Sequence, residues 1–452
     1  MDSVFEDAES IIDDYTNTTT QPPLNSIIPS PKVSTIIIDE PENTKDNLKQ
    51  YLAEHIKEFS PNFNYLKDNF RQLFPKFKNS KDKNKHFKQI FETQNFKADS
   101  SPIWIAKFSY NGEFFATGSK NGTLTIFEIF KEEQSFGNFK KNGIIHYLDL
   151  INETPYQTYK CHKSDIIDLD WSSKNPNLIV TVSIDHTAIL YDITIKTPLH
   201  IYQHNGIVSC VCFSTIESIN EEAFITGCFD KIIRVWGTSN SAAPLTYVNV
   251  TEFITAIAFF PTGEYVAVGN NNGKCSVYSY GKKLVYSFSF NCRNKNGKYS
   301  DGRKITNIFF INCNDAIITT NDSRIRMINV SNGDIIHKYK GLVNDDTIIR
   351  SSYDELSDSV ISASDDGNVL IWRNNRMNFN NSTLKNYSYE SIKPFQDGEK
   401  PLCAMFVCEK AFETFIDRVK LAFGDIVGIS ALIICGNNGT LQILFNCEKI
   451  LE

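Results

Sequence analysis

Apolar and polar positions along the chain fall into a short unit that recurs. A β-branched or aliphatic strand runs into a turn built on Asn or Asp. Six residues beyond the turn residue, an aromatic or large aliphatic side chain stands on the next strand. The turn residues are Asn121, Asp185, Asp230, Asn272, Asp322, Asp366 and Asn438, and their partners are Phe127, Tyr191, Trp236, Tyr278, Ile328, Trp372 and Leu444. Apolar runs that alternate or continue between Asn, Asp and Gly punctuation read as strands buried between stacked sheets. The interval is 45 residues from Asp185 to Asp230, 42 to Asn272, 50 to Asp322 and 44 to Asp366. One four-stranded propeller blade takes roughly 40–45 residues. Seven copies therefore predict an all-β fold, a seven-bladed β-propeller closed into a ring. The wider intervals before Asp185 and before Asn438 call for insertions. They appear as polar, irregular stretches at 131–154 and 374–393, and a third extra segment, 409–428, lies within the last unit.

Ahead of the repeats the pattern changes twice. Residues 1–42 are acidic, poor in aromatics and broken by TNTTTQPP and PSP; such a stretch cannot bury enough apolar area to offset its ordering entropy and is expected to be disordered. Residues 43–83 form a helical and basic extension. Leu48, Leu52, Ile56 and Phe59 make one helical stripe and Phe63, Leu66, Phe70, Leu73 and Phe74 a second, ended by Pro75. Lys76, Lys78, Lys81, Lys83, Lys85 and Lys88 follow against a single Asp82. That run reads as a solvated linker, or as a peripheral contact with anionic lipid at about 1 kcal/mol per basic residue. The propeller occupies residues 84–452, and the strand-like stretch 86–95 completes its last blade from the N-terminal side.

Composition narrows the class. A net charge of −7 argues against a general nucleic-acid binder. Eleven cysteines occur without paired spacing, mostly inside strand-like runs such as those around Cys210, Cys212, Cys228, Cys403 and Cys435, and read as reduced core thiols of a cytoplasmic or nuclear protein. The acidic N-terminus carries no signal peptide, and no apolar stretch approaches the roughly 20 residues of a membrane helix.

The repeats resemble the WD family. Its stabilising device is a hydrogen-bonded chain of His before the first strand, Ser or Thr on the second, Asp in the turn and Trp on the third. His162, Thr181, Asp185 and Tyr191 match it with Tyr in place of Trp; His204, Thr226, Asp230 and Trp236 match it fully; Ser362, Asp366 and Trp372 match it with Asn344 at the His position. A buried Asp needs donors, and these residues supply them. A His, Ser/Thr and Asp set also suggests a hydrolase. Recurrence at fixed offsets is the mark of a staple, however, and the chain lacks a G-x-S-x-G elbow, H-E-x-x-H, a P-loop and Cys/His metal spacing. No catalytic residue, metal or cofactor is assigned. The one surface that stands out is the loop ahead of the fifth repeat, with Arg293, Lys295, Lys298, Arg303 and Lys304. On an acidic propeller it suits an acidic protein partner or a phosphoinositide headgroup. Arg324 and Arg326 either pair with Asp322 or point outward.

Longer stretches resemble one branch of the family. IWIAKFSYNGEFFATGS at 103–119, HKSDIIDLDWS at 162–172, FFPTGEYVAVGNNNGKCSVY at 259–278, GRKITNIFF at 302–310, TTNDSRIRMINV at 319–330, KYKG at 338–341 and SASDDGNVLIW at 362–372 follow in an order similar to that of the WD repeat-containing protein 44 family, the rabphilin-like Rab-binding propellers. The resemblance covers about residues 84–445 and not 1–75. It implies a non-enzymatic scaffold with protein partners, a Rab-type small GTPase among them, working in vesicle traffic at endosomal membranes from the cytoplasm. The family's GTPase contact is assigned ahead of the propeller. Two other readings remain: a substrate-receptor adaptor of a ubiquitin ligase, which often ends a blade in W-D-x-R where this chain has Trp236-Gly237 and Trp372-Arg373, and a ribosome-biogenesis propeller, supported only by the lysine run.

Overall fold

The computed structural model describes residues 70–450 apart from 79–86, 88, 132–147, 216–221, 240, 294–299, 345–346, 375–383, 387, 397, 424–425, 428–429 and 448. The disorder expected at 1–42, the helical stripes up to Phe63 and Leu66, and Lys81, Lys83, Lys85 and Lys88 lie outside the described residues.

Seven antiparallel sheets follow one another, each running from an inner to an outer strand. The inner strands are Ile103–Phe108, Ile166–Trp171, Val208–Phe213, Ile254–Phe259, Ile305–Phe310, Ser351–Asp354 and Pro401–Phe406. The last blade is finished by Gln89–Lys97, which pairs antiparallel with Thr440–Cys447 and closes the ring as the sequence predicts. Closure matters because a linear array would leave the apolar faces of its two end blades without a neighbour.

The turn residues explain why the unit repeats. The residue after each of them has φ > 0: Gly122, His186, Lys231, Gly273, Ser323, Gly367 and Gly439. A left-handed residue is what a tight hairpin turn needs there. The turn side chain holds the backbone in that shape: Asn121 accepts from the Thr123 N–H, Asp185 from Thr187, Asp230 from Ile232 and Asp366 from Asn368. Gly439 is required on a second count, since a Cβ there would stand 2.2 Å from the Asp99 carbonyl.

The cores lie between blades. Ile105, Leu124, Ile126 and Tyr159 of blade 1 pack with Ile166, Leu169, Trp171 and Tyr191 of blade 2, and equivalent clusters follow around the ring. The second and third strands of each blade bury both faces, which accounts for their near-continuous apolar runs, while outer strands such as Pro198–Gln203 and Thr246–Asn249 stay partly exposed.

Three segments differ from the sequence reading. Within 43–83, the second stripe predicts helix through Phe74, but Arg71–Leu73 and Lys76–Lys78 are strands. They pair with the outer strands of blades 7 and 6 as fifth strands. A three-residue strap gives no period of its own, so Leu73 merely extended the helical count. Within 374–393, Tyr389–Ile392 is the outer strand of blade 6, and Leu384–Asn386 runs parallel to Asp334–Tyr339 as a fifth strand of blade 5. The extra segment at 409–428 contains a helix, α1, Glu409–Phe423. Its buried Ala411, Phe412, Phe415 and Val419 share one face, and the buried Arg418 Nη1 donates to the Asp149 carbonyl of blade 1 at 2.7 Å. α1 therefore clamps the seam at which blade 7 meets blade 1.

Candidate interaction surfaces

The polar sets expected within the blades are not alike. In blade 2 the set closes. His162 Nδ1 stands 2.9 Å from Asp185 Oδ2 and Nε2 2.7 Å from Thr181 Oγ1. Burial opposes ionisation of Asp185, but hydrogen bonds from His162, Thr187 and the Lys163 N–H outweigh it and hold the carboxyl well below its usual range. Tyr191 lies beside Thr181 and Cys161 without a hydrogen bond from its hydroxyl.

In blade 3 the chain is diverted. Trp236 Nε1 donates to Thr226 Oγ1 at 3.0 Å, and Thr226 meets His204 Nε2 at 2.9 Å. His204 Nδ1 then faces the Tyr202 carbonyl at 3.0 Å, not Asp230. Asp230 takes a bidentate pair with Arg234, at 3.1 and 2.6 Å. Arg234 stands directly opposite Thr226 in the ladder, next to the carboxylate. Burial, then the Arg234 charge, pulls His204 down to about 4.

In blade 6 no set forms. Ser362 Oγ donates to the Ala363 carbonyl, the exposed Asp366 caps its own turn, and Trp372 Nε1 donates to the Lys340 carbonyl at 2.9 Å. Without a His at 344, nothing draws the carboxylate inward. In blade 5 Arg326 is fully buried on Asp322, while Arg324 donates to the Ser323 carbonyl at 2.6 Å.

Of the basic loop, Lys295 and Lys298 lie outside the described residues. Arg293 and Arg303 are exposed, and Lys304 is half-buried, its pKa lowered by burial and by Arg350. Among the described three, Arg293 and Arg303 face solvent while Lys304 is partly withdrawn from the loop surface.

The axis of the ring holds charges that the sequence reading missed. Asp168 Oδ2 accepts the Val211 N–H at 3.1 Å and Asp170 Oδ2 the Phe213 N–H at 2.8 Å, so blade 2 carboxylates satisfy blade 3 backbone. Lys107 of blade 1 reaches Asp170 at 3.2 Å, and Arg350 of blade 6 reaches Asp168 at 3.4 Å and the Ile167 carbonyl at 2.7 Å. Burial lowers the Lys107 pKa, but Asp170 and Asp168 raise it further and keep the ammonium charged. Beyond these charges the axis opens into a cavity of about 790 Å³, walled by Tyr110, Phe259, Phe309, Tyr353 and Phe406 among others. The signal was present in IIDLDW, where two acids stand at alternate positions of an otherwise apolar strand. The cysteines are all free thiols. Burial pushes Cys403 up to about 11 and Cys228 to about 12, so neither is a ready thiolate. Among the described residues no cluster of His, Cys, Asp and Glu suits a metal ion.

Closed blades with positive-φ turns and a His–Asp–Thr set define the class, and comparison with known families agrees: the WD domain, G-beta repeat, matches residues 91–128, 153–192 and 196–237. The chain is a WD-repeat β-propeller. It is similar to WD repeat-containing protein 44 of Xenopus laevis, 25% identical over 63% of this chain and 35% of that protein. It is also similar to an uncharacterised WD repeat-containing protein of Schizosaccharomyces pombe, 23% identical over 60% of this chain and 47% of that protein. A third relative is 2-deoxy-glucose resistant protein 2 of Saccharomyces cerevisiae, 26% identical over 56% of this chain and 32% of that protein. The chain thus spans a third to a half of the length of these relatives.

Proposed function

We propose that this protein is a non-enzymatic scaffold that acts as an effector of a Rab-type small GTPase in endosomal vesicle traffic, meeting its partners from the cytoplasm with peripheral contact to anionic membrane. The carrying observation is the consumption of the polar sets inside the blades. Both ring nitrogens of His162 are engaged, by Asp185 and Thr181, and both of His204, by Tyr202 and Thr226. A general base must have a nitrogen within reach of a substrate proton; these are spent on holding strands together. What is left for function is the surface of the ring, its axial cavity included. The likeness to WD repeat-containing protein 44 supports the choice of a GTPase over other partners. Pull-down of the full chain with Rab proteins loaded with GTP or GDP tests this reading. Retention of one or more in the GTP form is the expected result; equal retention of both forms, or none, ends the effector reading.

A further inference from the structure

Blades 5, 6 and 7 each carry a fifth strand, supplied by Leu384–Asn386, Lys76–Lys78 and Arg71–Leu73. The chain itself therefore shows that the outer edge of a blade accepts an added strand, in parallel or antiparallel sense. Blades 1 to 4 end at Gln157–Tyr159, Pro198–Gln203, Thr246–Asn249 and Leu284–Asn291, with no further strand among the described residues. The blade 4 edge is the longest of these, at 8 residues.

Its local geometry matches an edge already filled. In blade 5 the outer strand slips register at Ile336, and the fifth strand pairs with the next three residues, His337 to Tyr339. In blade 4 the outer strand slips at Ser287, which leaves Phe288 to Phe290 in the equivalent place. The Cys292 N–H is given inward to Gly273; by the alternation of an antiparallel ladder, the Ser289 and Asn291 amides point outward. Val285 and Tyr286, 59% and 54% exposed, present apolar surface beside this stretch. It touches the outer strand of blade 3, where Leu245 and Tyr247 are 57% and 59% exposed.

Charge selects the occupant. Lys282 and Lys283 stand exposed at one end of the strand, and Lys274 and Arg293 at the other. None of the three lysines has an ion-pair partner among the described residues. The chain as a whole carries −7, so this is a local reversal of sign. It disfavours a second copy pairing edge to edge, since the same cations would meet. We propose that the blade 4 edge binds an extended segment of a partner protein, apolar at alternate positions and acidic at its ends, as an added β-strand. This site is separate from the GTPase reading and stands or falls without it.

The probe is a fluorescent peptide matching the 8-residue strand in length, with Val at alternate central positions and Asp at both ends. The full chain is titrated alongside Ser289→Pro, which removes one outward N–H at an edge position where proline is tolerated. Lys282→Glu/Lys283→Glu is the second variant. The expected result is saturable binding weakened about tenfold or more in both variants, with no loss for the GTP-dependent pull-down. Amide exchange on the unmodified chain guards against a Ser289→Pro variant that fails to fold: the peptide should protect Ser289 and Asn291. Absence of binding, equal binding by chain and variants, or unprotected amides overturns the proposal. So does concentration-dependent self-association of the unmodified chain that Ser289→Pro abolishes, which would assign the edge to a second copy.

Discussion

A turn carboxylate takes whichever donor the neighbouring positions offer, and that choice separates blades that look alike in sequence. Four residues after Asp185 stands Ile189; four after Asp230 stands Arg234, and four after Asp322 stands Arg326. Where an Arg occupies that place the carboxylate pairs with it; Asp185, which has none, is left to His162, and Asp366, with neither an Arg nor a His, caps only its own turn. The sequence reading offered Arg326 as a partner of Asp322 but did not extend that competition to Arg234 and Asp230, where it weighed only His, Thr, Asp and Trp. The consequence for blade 3 is a histidine held neutral. His204 Nδ1–H donates to the Tyr202 carbonyl, and Nε2 accepts from Thr226, whose oxygen accepts from Trp236. A proton on Nε2 would face the Thr226 O–H and lie near Arg234. With a folded pKa of about 4 against about 6.5 unfolded, the folded state binds fewer protons in that window. Its contribution is complete above about pH 6.5 and fades as pH falls toward about 4, by roughly 3 kcal/mol at most. Urea denaturation from about pH 7 to about pH 4 checks the slope, and His204→Gln should flatten that part of the profile while leaving the acid limb set by Asp185.

Strands were legible and straps were not. Each four-stranded unit announces itself by apolar runs and a turn residue, so the inner three strands of most blades fall where the pattern puts them. Arg71–Leu73, Lys76–Lys78 and Leu384–Asn386 are too short to show a period of two, and their partners are more than ten residues away in every case. α1 hides for a different reason. Its apolar face is plain in Ala411, Phe415 and Val419, but the next strand begins so soon after it that the whole read as one blade with an insertion. Arg71–Leu73 and α1 lie at blade 7, and α1 reaches across the seam between blades 7 and 1. The seam's chief polar lock is Gln94. Its Oε1 accepts from the Leu150 and Ile151 N–H groups at 2.7 and 3.0 Å, and its Nε2 donates to the Ile151 carbonyl at 2.8 Å. All of it is buried, so Gln94→Ala orphans backbone groups with no water to replace the side chain. A loss of about 2–4 kcal/mol follows. Chemical denaturation measures it. Native-state amide exchange should show the opening concentrated at 148–151, with the blade 3 and blade 4 strands unchanged.

At the scale of the ring, cooperativity depends on a strand that precedes every complete blade in sequence and is placed in the last one in space. Among the described residues the hydrophobic clusters join neighbouring blades rather than lying within one blade. Hence a blade's stability is a property of its two neighbours. Gln89–Lys97 supplies the outer strand of blade 7, and its buried Ile90 and Phe91 fill the space between the last blade and its neighbours. Apolar spacing made this closure legible from the stretch 86–95, since an isolated strand ahead of complete repeats has no sheet to join except the last. A chain beginning at Ala98 keeps all strands of blades 1 to 5, loses the fifth strand of blade 6 and both outer strands of blade 7, and so leaves Thr440–Cys447 with an unpaired edge and blade 7 with an open flank. Such a chain should lose the single sharp thermal transition of the intact protein and unfold over a broad range, beginning at blades 7 and 1. A synthetic peptide of residues 89–97 added in excess should restore much of the sharpness, because it binds only the native edge. Calorimetry with and without the peptide decides the matter: a truncated chain that melts as sharply and as late as the intact one would mean that the inner three strands of blade 7, with α1 across the seam, hold the ring by themselves.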